Sequence, residues 1–382
     1  MTPVSAMQTL NQLLRKKIDA RKQDNAYRAL APSPAPLKDF CSNDYLGLAR
    51  SPDLYDLIIK KLDDIGVRQN GATGSRLLSG NTAYTLDVER TLAGIFNSEA
   101  ALIFNAGYTA NVAVLSAIPR RGDTILYDEF AHASIKDGAR LSLANRFAFR
   151  HNDLEDLVVK IKNARGEKYI VVESVYSMDG DECPLKEIVM LAKEYGAHII
   201  LDEAHTTGVV GPAGSGLAVA SGVEQGIDVR IYTFGKAMGV HGACVAGSAT
   251  LIDYLVNFAR PFIYTTALPP HSVASIDCAF QYLGGHPNLQ HQLQENVHLF
   301  TQAIWSLKNR TVSNSPIQTA IFPGNDNVKS AAGQLVNAGF DVRPILSPTV
   351  RSGQERLRIC LHAFNETEDL LRLASLLGTI GT

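Results

Sequence analysis

From about residue 37 to about residue 285, short apolar runs alternate with amphipathic stretches. The clearest runs are A-A-L-I-F-N (Ala100–Asn105), T-I-L-Y-D (Thr124–Asp128), Y-I-V-V-E-S (Tyr169–Ser174) and A-H-I-I-L-D-E (Ala197–Glu203). Each is short and continuously apolar, and each ends in polar residues. That pattern predicts parallel β-strands buried on both faces, with chemistry at their C-terminal ends. Ahead of them, Gln8 to Leu30 predicts a helix, closed by the breaker A-P-S-P-A-P. After about His286 the pattern changes. A long helix over Leu289–Leu307 leads to a strand (Thr319–Pro323), a helix and two more strands (Phe340–Leu346, Leu357–Leu361). A last helix follows, with Asn365 expected at its N-cap and Glu368 at N3 as a capping box. The expected α/β chain has three parts: an N-terminal helix and linker (1–40), a large mostly parallel-sheet domain (41–285) and a small α/β C-terminal domain (286–382).

Composition narrows the function. The 382 residues are 46% hydrophobic and 19% charged, as in ordinary globular proteins, and length alone provides for a substantial core. A net charge of −2 argues against nucleic acid as the main partner, because phosphate binding needs a basic face. The basic string R-K-K-I-D-A-R-K (Arg15–Lys22) is interrupted by apolar and acidic residues. It reads first as a solvated amphipathic helix and second as a docking patch for an acidic partner. The five cysteines (41, 183, 244, 278 and 360) form no C-x-x-C pair and read as reduced, mostly buried thiols. The start M-T-P-V-S-A-M-Q-T-L has no cationic segment leading into an apolar one, so no signal peptide is expected. The expectation is a cytoplasmic protein without membrane contact.

One charged side chain, Lys236, stands between Arg230 and Asp253, in I-Y-T-F-G-K-A-M-G-V-H-G-A-C-V-A-G-S-A-T-L-I. The glycines at 235, 239, 242 and 247, with Lys236 and His241, make this run a strand and loop rather than a membrane span. Desolvation disfavours an ammonium, and a lysine held neutral is the kind that forms Schiff bases. The plainer alternative is a lysine snorkelling out of a tight turn. The uniformly apolar surroundings favour the Schiff-base reading.

Asp202 ends the strand A-H-I-I-L-D-E, so it faces the ligand crevice of a parallel sheet. Alone it could cap a helix. Beside Lys236 it suits the pyridinium nitrogen of pyridoxal phosphate (PLP), which an acidic partner keeps protonated. His205, on the same loop, could reach the cofactor's phenolic oxygen. The string D-E-A-H also spells a helicase box, but G-A-T-G-S-R-L-L-S-G lacks the phosphate-binding lysine and Gly235–Lys236 is followed by alanine. His132 follows the strand T-I-L-Y-D and could stack on a pyridine ring, although a lone histidine is more often simply a satisfied polar residue. Gly107 and Tyr108 open a helix where a phosphate could sit, and Thr233 lies three residues before Lys236 with a hydroxyl for it.

Together these residues resemble the α-oxoamine synthases, PLP-dependent acyltransferases of the aspartate-aminotransferase fold type (fold type I). The likeness runs through C-S-N-D-Y-L-G-L (Cys41–Leu48), G-A-T-G-S-R-L-L-S-G-N, N-A-G-Y, H-A-S, E-S-V-Y-S-M-D-G-D (Glu173–Asp181), D-E-A-H, T-F-G-K and the late R-L-R. The resemblance implies Lys236 as the Schiff-base lysine, Asp202 as the pyridinium partner, His132 as the stacking residue and His205 on the phenolic oxygen. Glu173 and Ser177 would line the site. Gly107, Tyr108 and Thr233 would hold the phosphate, with Thr265 or Thr266 reaching in from a second subunit of a homodimer. Asn43 would face the substrate, and Arg358, rather than its strand neighbour Arg356, would hold an amino-acid carboxylate.

The glycine loop and T-F-G-K-A-M-G-V-H-G-A look most like the biotin-pathway branch, which implies condensation of L-alanine with a pimeloyl thioester on CoA or a carrier protein. Arg28 is the candidate for the far carboxylate. The same chemistry with glycine and acetyl-CoA, or serine and a long acyl-CoA, is the alternative. A cofactor-free scaffold relative is disfavoured because Lys236 is present. Two departures from the family pattern, Thr206 and the I-C-L-H-A-F-N string after Arg358, lie near the expected substrate site.

Overall fold

The computed structural model describes residues 9–30 and 36–380. Twelve strands are described: β1 (Lys38–Asp39), β2 (Ala100–Phe104), β3 (Thr124–Asp128), β4 (Asn145–Phe149), β5 (Lys168–Glu173), β6 (His198–Asp202), β7 (Val229–Thr233), β8 (Ala243–Gly247), β9 (Ile317–Ile321), β10 (Phe340–Asp341), β11 (Arg343–Ile345) and β12 (Arg356–Cys360). Seven of them form one sheet in the order β2-β8-β7-β6-β5-β3-β4. Strands β4, β3, β5, β6 and β7 pair in parallel, and β8 runs against both β7 and β2. The four runs read from the sequence as strands are β2, β3, β5 and β6, and all four point the same way.

Continuous apolar strands arise because both faces are covered. In β5, Ile170 and Val172 pack with Leu157, Ile188 and Leu201 on one side, while Val171 packs with Val114, Ile200 and Ile231 on the other. Ile170, Val171 and Val172 are fully buried. Each such side chain contributes about 1.5–3 kcal/mol on removal from water, more than the net worth of a ladder hydrogen bond. The third cluster joins the chain's beginning to its end, with Phe40 and Tyr45 packing alongside Phe300, Leu335, Leu357 and Leu373. Strand β1 pairs in parallel with β10, and β12 lies between β11 and β9.

Several boundaries differ from the sequence expectation. The first helix spans Leu10–Gln23 and ends well short of Leu30. Asn25 there turns to φ 48°, which asparagine tolerates, and its carbonyl accepts from Lys329 Nζ at 2.5 Å. The breaker lies largely outside the described residues. The segment expected as one strand over 340–346 divides, because residues 340–341 pair with β1 and residues 343–345 with β12. The last helix begins at Thr367, and Asn365 Oδ1 accepts from the His362 backbone N–H at 2.7 Å instead of capping it. Among the described residues no helix is long and apolar enough to cross a membrane. All five cysteines are free, and all but Cys41 are fully buried.

Residues 151–152 brace the end of β3. His151 lies 2.9 Å from Asp128 and 2.6 Å from Asp181. Its ring stacks on Phe130 at 4.3 Å. Burial alone would lower its pKa, but the two carboxylates outweigh that and push it up to about 10. The bridge therefore stabilises fully below the ordinary histidine value and is lost as pH rises through about 10. The melting temperature should fall between pH 7 and pH 10.5, whereas His151→Gln should melt lower at pH 7 and change less across that range. Parallel pH profiles for the two proteins would rule out a charged bridge.

Candidate active site

Register brings the chemistry together. Glu173 and Asp202 are direct neighbours at the ends of β5 and β6, and Asp202 lies opposite Ile231, two residues before Thr233. Lys236 sits on the connection from β7 to β8, which is closed by bonds from Gly239 N to Lys236 O (2.8 Å) and from Val240 N to Phe234 O (3.1 Å). Gly239 has φ +67°, and a Cβ there would lie 2.2 Å from the backbone nitrogen of Ala49. Only glycine lets the lysine turn press against that segment.

The Lys236 side chain is enclosed by protein, with remaining solvent access only in part. Desolvation lowers its pKa, although Asp202 and Glu173 oppose the shift. Its Nζ lies 2.8 Å from His205 Nε2, and His205 Nδ1 lies 2.8 Å from the hydroxyl of Tyr45. Burial, with the positive charges of Lys236 and Arg358, holds His205 well below the ordinary histidine value, so it is neutral. Glu173 is raised by burial and by the neighbouring Asp202 charge. Its Oε1 accepts from the backbone N–H of His132 at 2.5 Å.

Asp202 is buried and accepts from Asn111 Nδ2 at 2.6 Å and from Ala204 N at 2.8 Å. No cation lies within ion-pair distance of it among the described residues. Asn111 Oδ1 is itself buried without a partner. A buried carboxylate left this way is costly unless a cation joins it, and a protonated ring nitrogen would supply one. His132 caps the helix Ala133–Leu141, and its exposed ring lies 6.2 Å edge-on from the ring of Tyr108.

The helix Gly107–Ala117 starts without a side-chain cap, so its first N–H groups are open to an anion. A Cβ on Gly107 would lie 2.2 Å from Thr233 Oγ1, which explains the glycine and places that hydroxyl at the same turn. The Tyr108 hydroxyl donates to Asp137. Thr265 and Thr266 lie near the same turn of their own chain: Asn105 Nδ2 donates to Thr266 O at 2.8 Å and approaches Thr265 Oγ1 at 3.4 Å.

The two late arginines separate. Arg356 is buried and paired with Asp179, so it is not an exposed edge residue. Arg358 donates to Ser177 O (2.6 Å), Cys360 Sγ (3.0 Å) and Asn43 Oδ1 (2.9 Å), all neutral acceptors. Ser177 thus contributes its carbonyl, and Asn43 orients Arg358. Arg28 is exposed beyond the helix end and donates to Thr349 Oγ1 at 2.8 Å. Thr349 shares a loop with Arg351, which pairs with Glu129 at 2.5 Å. The hydroxyl of Thr206 is taken up by Ser174 and Glu203, and His362 is held by Asn365 and Ser42.

Tyr45, Asn111 and the Asp128–His151–Asp181 bridge were not singled out from the sequence. Asn111 follows Gly107 by four residues, a spacing that puts both on one helix face and was open to reading. Tyr45 lies within C-S-N-D-Y-L-G-L, but nothing local to that string places it beside His205.

This lysine, carboxylate, histidine and open helix start define a PLP-dependent enzyme of the aminotransferase fold. The chain belongs to the aminotransferase class I and II family, which matches residues 36–377, and within it to the α-oxoamine synthases, which are acyltransferases. It is 40% identical over 376 residues to a putative 8-amino-7-oxononanoate synthase of Bacillus licheniformis, covering 97% of this chain and 98% of that one. It is 39% identical over 396 residues to the 8-amino-7-oxononanoate synthase of Emericella nidulans, covering 98% and 95%. Among solved structures, a serine palmitoyltransferase of S. paucimobilis with a bound PLP–myriocin aldimine aligns with TM-score 0.88 and 26% identity over 98% of each chain. An 8-amino-7-oxononanoate synthase of Francisella tularensis aligns with TM-score 0.77 and 28% identity, covering 90% and 97%.

Gly107→Ala should weaken PLP binding by about tenfold or more while leaving the fold intact, since it displaces Thr233 from the open helix start. Absorbance titration of the apoprotein with PLP measures this. Unchanged affinity would remove this turn from the phosphate site.

Proposed function

We propose that this enzyme condenses L-alanine with a pimeloyl thioester, releasing CO₂ and free thiol and giving 8-amino-7-oxononanoate. The observation that carries the reading is Arg358, a half-buried guanidinium held only by neutral acceptors, in one hydrogen-bonded chain with Lys236. Arginine's fork suits an amino-acid carboxylate, and the bonds holding it here leave its charge uncompensated. The choice of alanine and a pimeloyl group is supported by the names of relatives that match across nearly the whole chain.

Bound PLP supplies an electron sink for the bonds broken and formed at the amino acid's α-carbon. Asp202 holds the ring nitrogen, while the start of the helix Gly107–Ala117 and Thr233 hold the phosphate. His132 would cover the ring face, and His205 would hold the phenolic oxygen. Lys236, its pKa lowered by desolvation, removes the α-proton at Nζ and later returns a proton. Arg358 fixes the substrate carboxylate, with Asn43 and Ser177 fixing the arginine. Thr265 or Thr266 reaches the phosphate of a neighbouring copy in a homodimer. Arg28 takes the far carboxylate from its position on the Thr349 loop.

The deciding measurement is thiol release from pimeloyl-CoA by the PLP-loaded protein, in parallel with L-alanine, glycine and L-serine. Release with alanine alone is expected. Turnover only of glycine with acetyl-CoA, or serine with palmitoyl-CoA, would keep the chemistry and overturn the substrate assignment. Lys236→Ala should bind PLP without a borohydride-reducible link and lose turnover. Arg358→Lys should raise KM for alanine by about ten- to a hundredfold, with a smaller fall in kcat. An unchanged KM would place the carboxylate elsewhere.

A further inference from the structure

Three side chains, Asn43, Tyr45 and His205, join Arg358 to Lys236 in one hydrogen-bonded line, with a donor-only arginine at one end and an ammonium at the other. Arginine can only donate. Asn43 therefore turns its Oδ1, not its amide nitrogen, toward Arg358 Nη2 at 2.9 Å. The same Oδ1, which can only accept, lies 3.0 Å from the Tyr45 hydroxyl, and with the Lys236 ammonium donating to His205 Nε2 the phenolic proton points at Asn43. Tyr45 has no second proton, and its oxygen must accept from His205 Nδ1 at 2.8 Å. Arg358 Nη2, at 3.5 Å, adds a weak second donor to that oxygen. The His205 proton is thus on Nδ1, and the Nε2 lone pair faces Lys236 Nζ at 2.8 Å. Tyr45 is fully buried, so water does not compete at its hydroxyl.

A phenolic oxygen of the cofactor, placed at Nε2 as the preceding section reads it, asks for the opposite. An anionic oxygen needs a donor there. The groups whose charge bears on the imidazole are Lys236, Arg358 and, when protonated, His132, and with burial they oppose a histidine cation. The imidazole must then hold its single proton on Nε2 and expose a lone pair at Nδ1. We propose that Tyr45 is the positioning residue that reverses this line, its hydroxyl turning from Asn43 to His205 Nδ1 when an anionic oxygen replaces Lys236 at Nε2. The proton balance closes: as the lysine ammonium formed a carbon–nitrogen double bond to the cofactor aldehyde, two of its protons would leave with the aldehyde oxygen as water, the third would go to Nε2, and the Nδ1 proton would leave to solvent. One proton is released overall, the one an ammonium loses on becoming an imine nitrogen. Asn43 Oδ1 keeps its bond from Arg358 throughout, so the reversal leaves the carboxylate site in place.

This inference rests on the PLP reading of Lys236 and His205, and its first arm stands without it. The test is nitrogen NMR of ¹⁵N-histidine-labelled protein, with His205 assigned by comparison with His205→Gln. The apoprotein should show His205 protonated on Nδ1, and the PLP-loaded protein should show it protonated on Nε2. Tyr45→Phe removes both the acceptor and the donor, and should give mixed tautomers before loading and an incomplete reversal after it. The same variant should lower kcat about tenfold with a smaller change in KM for alanine. Asn43→Ala frees the Tyr45 proton and should shift apoprotein His205 toward Nε2–H, which keeps the test open if Tyr45→Phe folds poorly. A doubly protonated His205 in the loaded protein, Nε2–H in the wild-type apoprotein, or wild-type behaviour of Tyr45→Phe would each overturn the proposal. Absence of a borohydride-reducible PLP link at Lys236 would instead sink the functional reading, leaving the apoprotein tautomer to be judged by itself.

Discussion

Desolvation at the ends of β5, β6 and β7 is the constraint on which the rest depends. The register sets two carboxylates, Glu173 and Asp202, side by side with the amine of Lys236 among buried apolar strands. Charges in such a place must be paired, neutralised or held by hydrogen bonds. Each has its own solution. Glu173 is raised toward neutrality and fastened to the backbone N–H of His132, which positions that ring at the mouth. Asp202 keeps two donors and has no cation within ion-pair distance among the described residues, an arrangement that suits a protonated ring nitrogen. Lys236 is lowered and turned toward a neutral histidine.

The surrounding scaffold holds these groups in place with charges of its own. Arg356 is spent on Asp179, a fully structural pair, while Arg358 one turn of the pleat away keeps only neutral acceptors. The difference gives adjacent arginines on one strand face different tasks. Likewise His151 pairs with Asp128 and stacks on Phe130, whose N–H also binds Asp128, so a largely buried bridge outside the crevice steadies the segment between β3 and His132. Thr206 shows the same economy, since its hydroxyl serves the buried Glu203 and is not free to contact a substrate.

The start and end of the chain meet at this site. Residues 40–48 carry Asn43 and Tyr45 and pack against β12, which carries Arg358. That packing brings a motif from residue 45 within 2.8 Å of one from residue 205, and through it to Lys236. A hydrogen-bonded line spanning more than three hundred residues of sequence therefore runs through the buried Tyr45 and His205, with Asn43, Arg358 and Lys236 partly covered.

Much of this was legible along the chain, because short-range rules govern it. Continuous apolar runs ending in polar residues identified β2, β3, β5 and β6 and put Asp202 at a strand end, since strands buried on both faces leave little room for polar groups elsewhere. A lone lysine in an apolar run pointed to a depressed amine. The string motifs then tied these features to PLP chemistry. Register, helix ends and bond direction were not legible, because each is settled by partners distant in sequence. The division of residues 340–346 follows from pairing with residues 38–39 and 356–358. The end of the first helix is held at Asn25 by Lys329. The donor-only Arg358 sets which end of the Asn43 amide faces it, and Asn43 Oδ1 and His205 Nδ1 both lie within hydrogen-bond reach of the Tyr45 hydroxyl. The sequence by itself determined which groups could do the chemistry, through local hydrophobicity and residue type. Only the tertiary structure decided their protonation and mutual orientation, because these depend on burial and on hydrogen-bond partners that folding alone brings within reach.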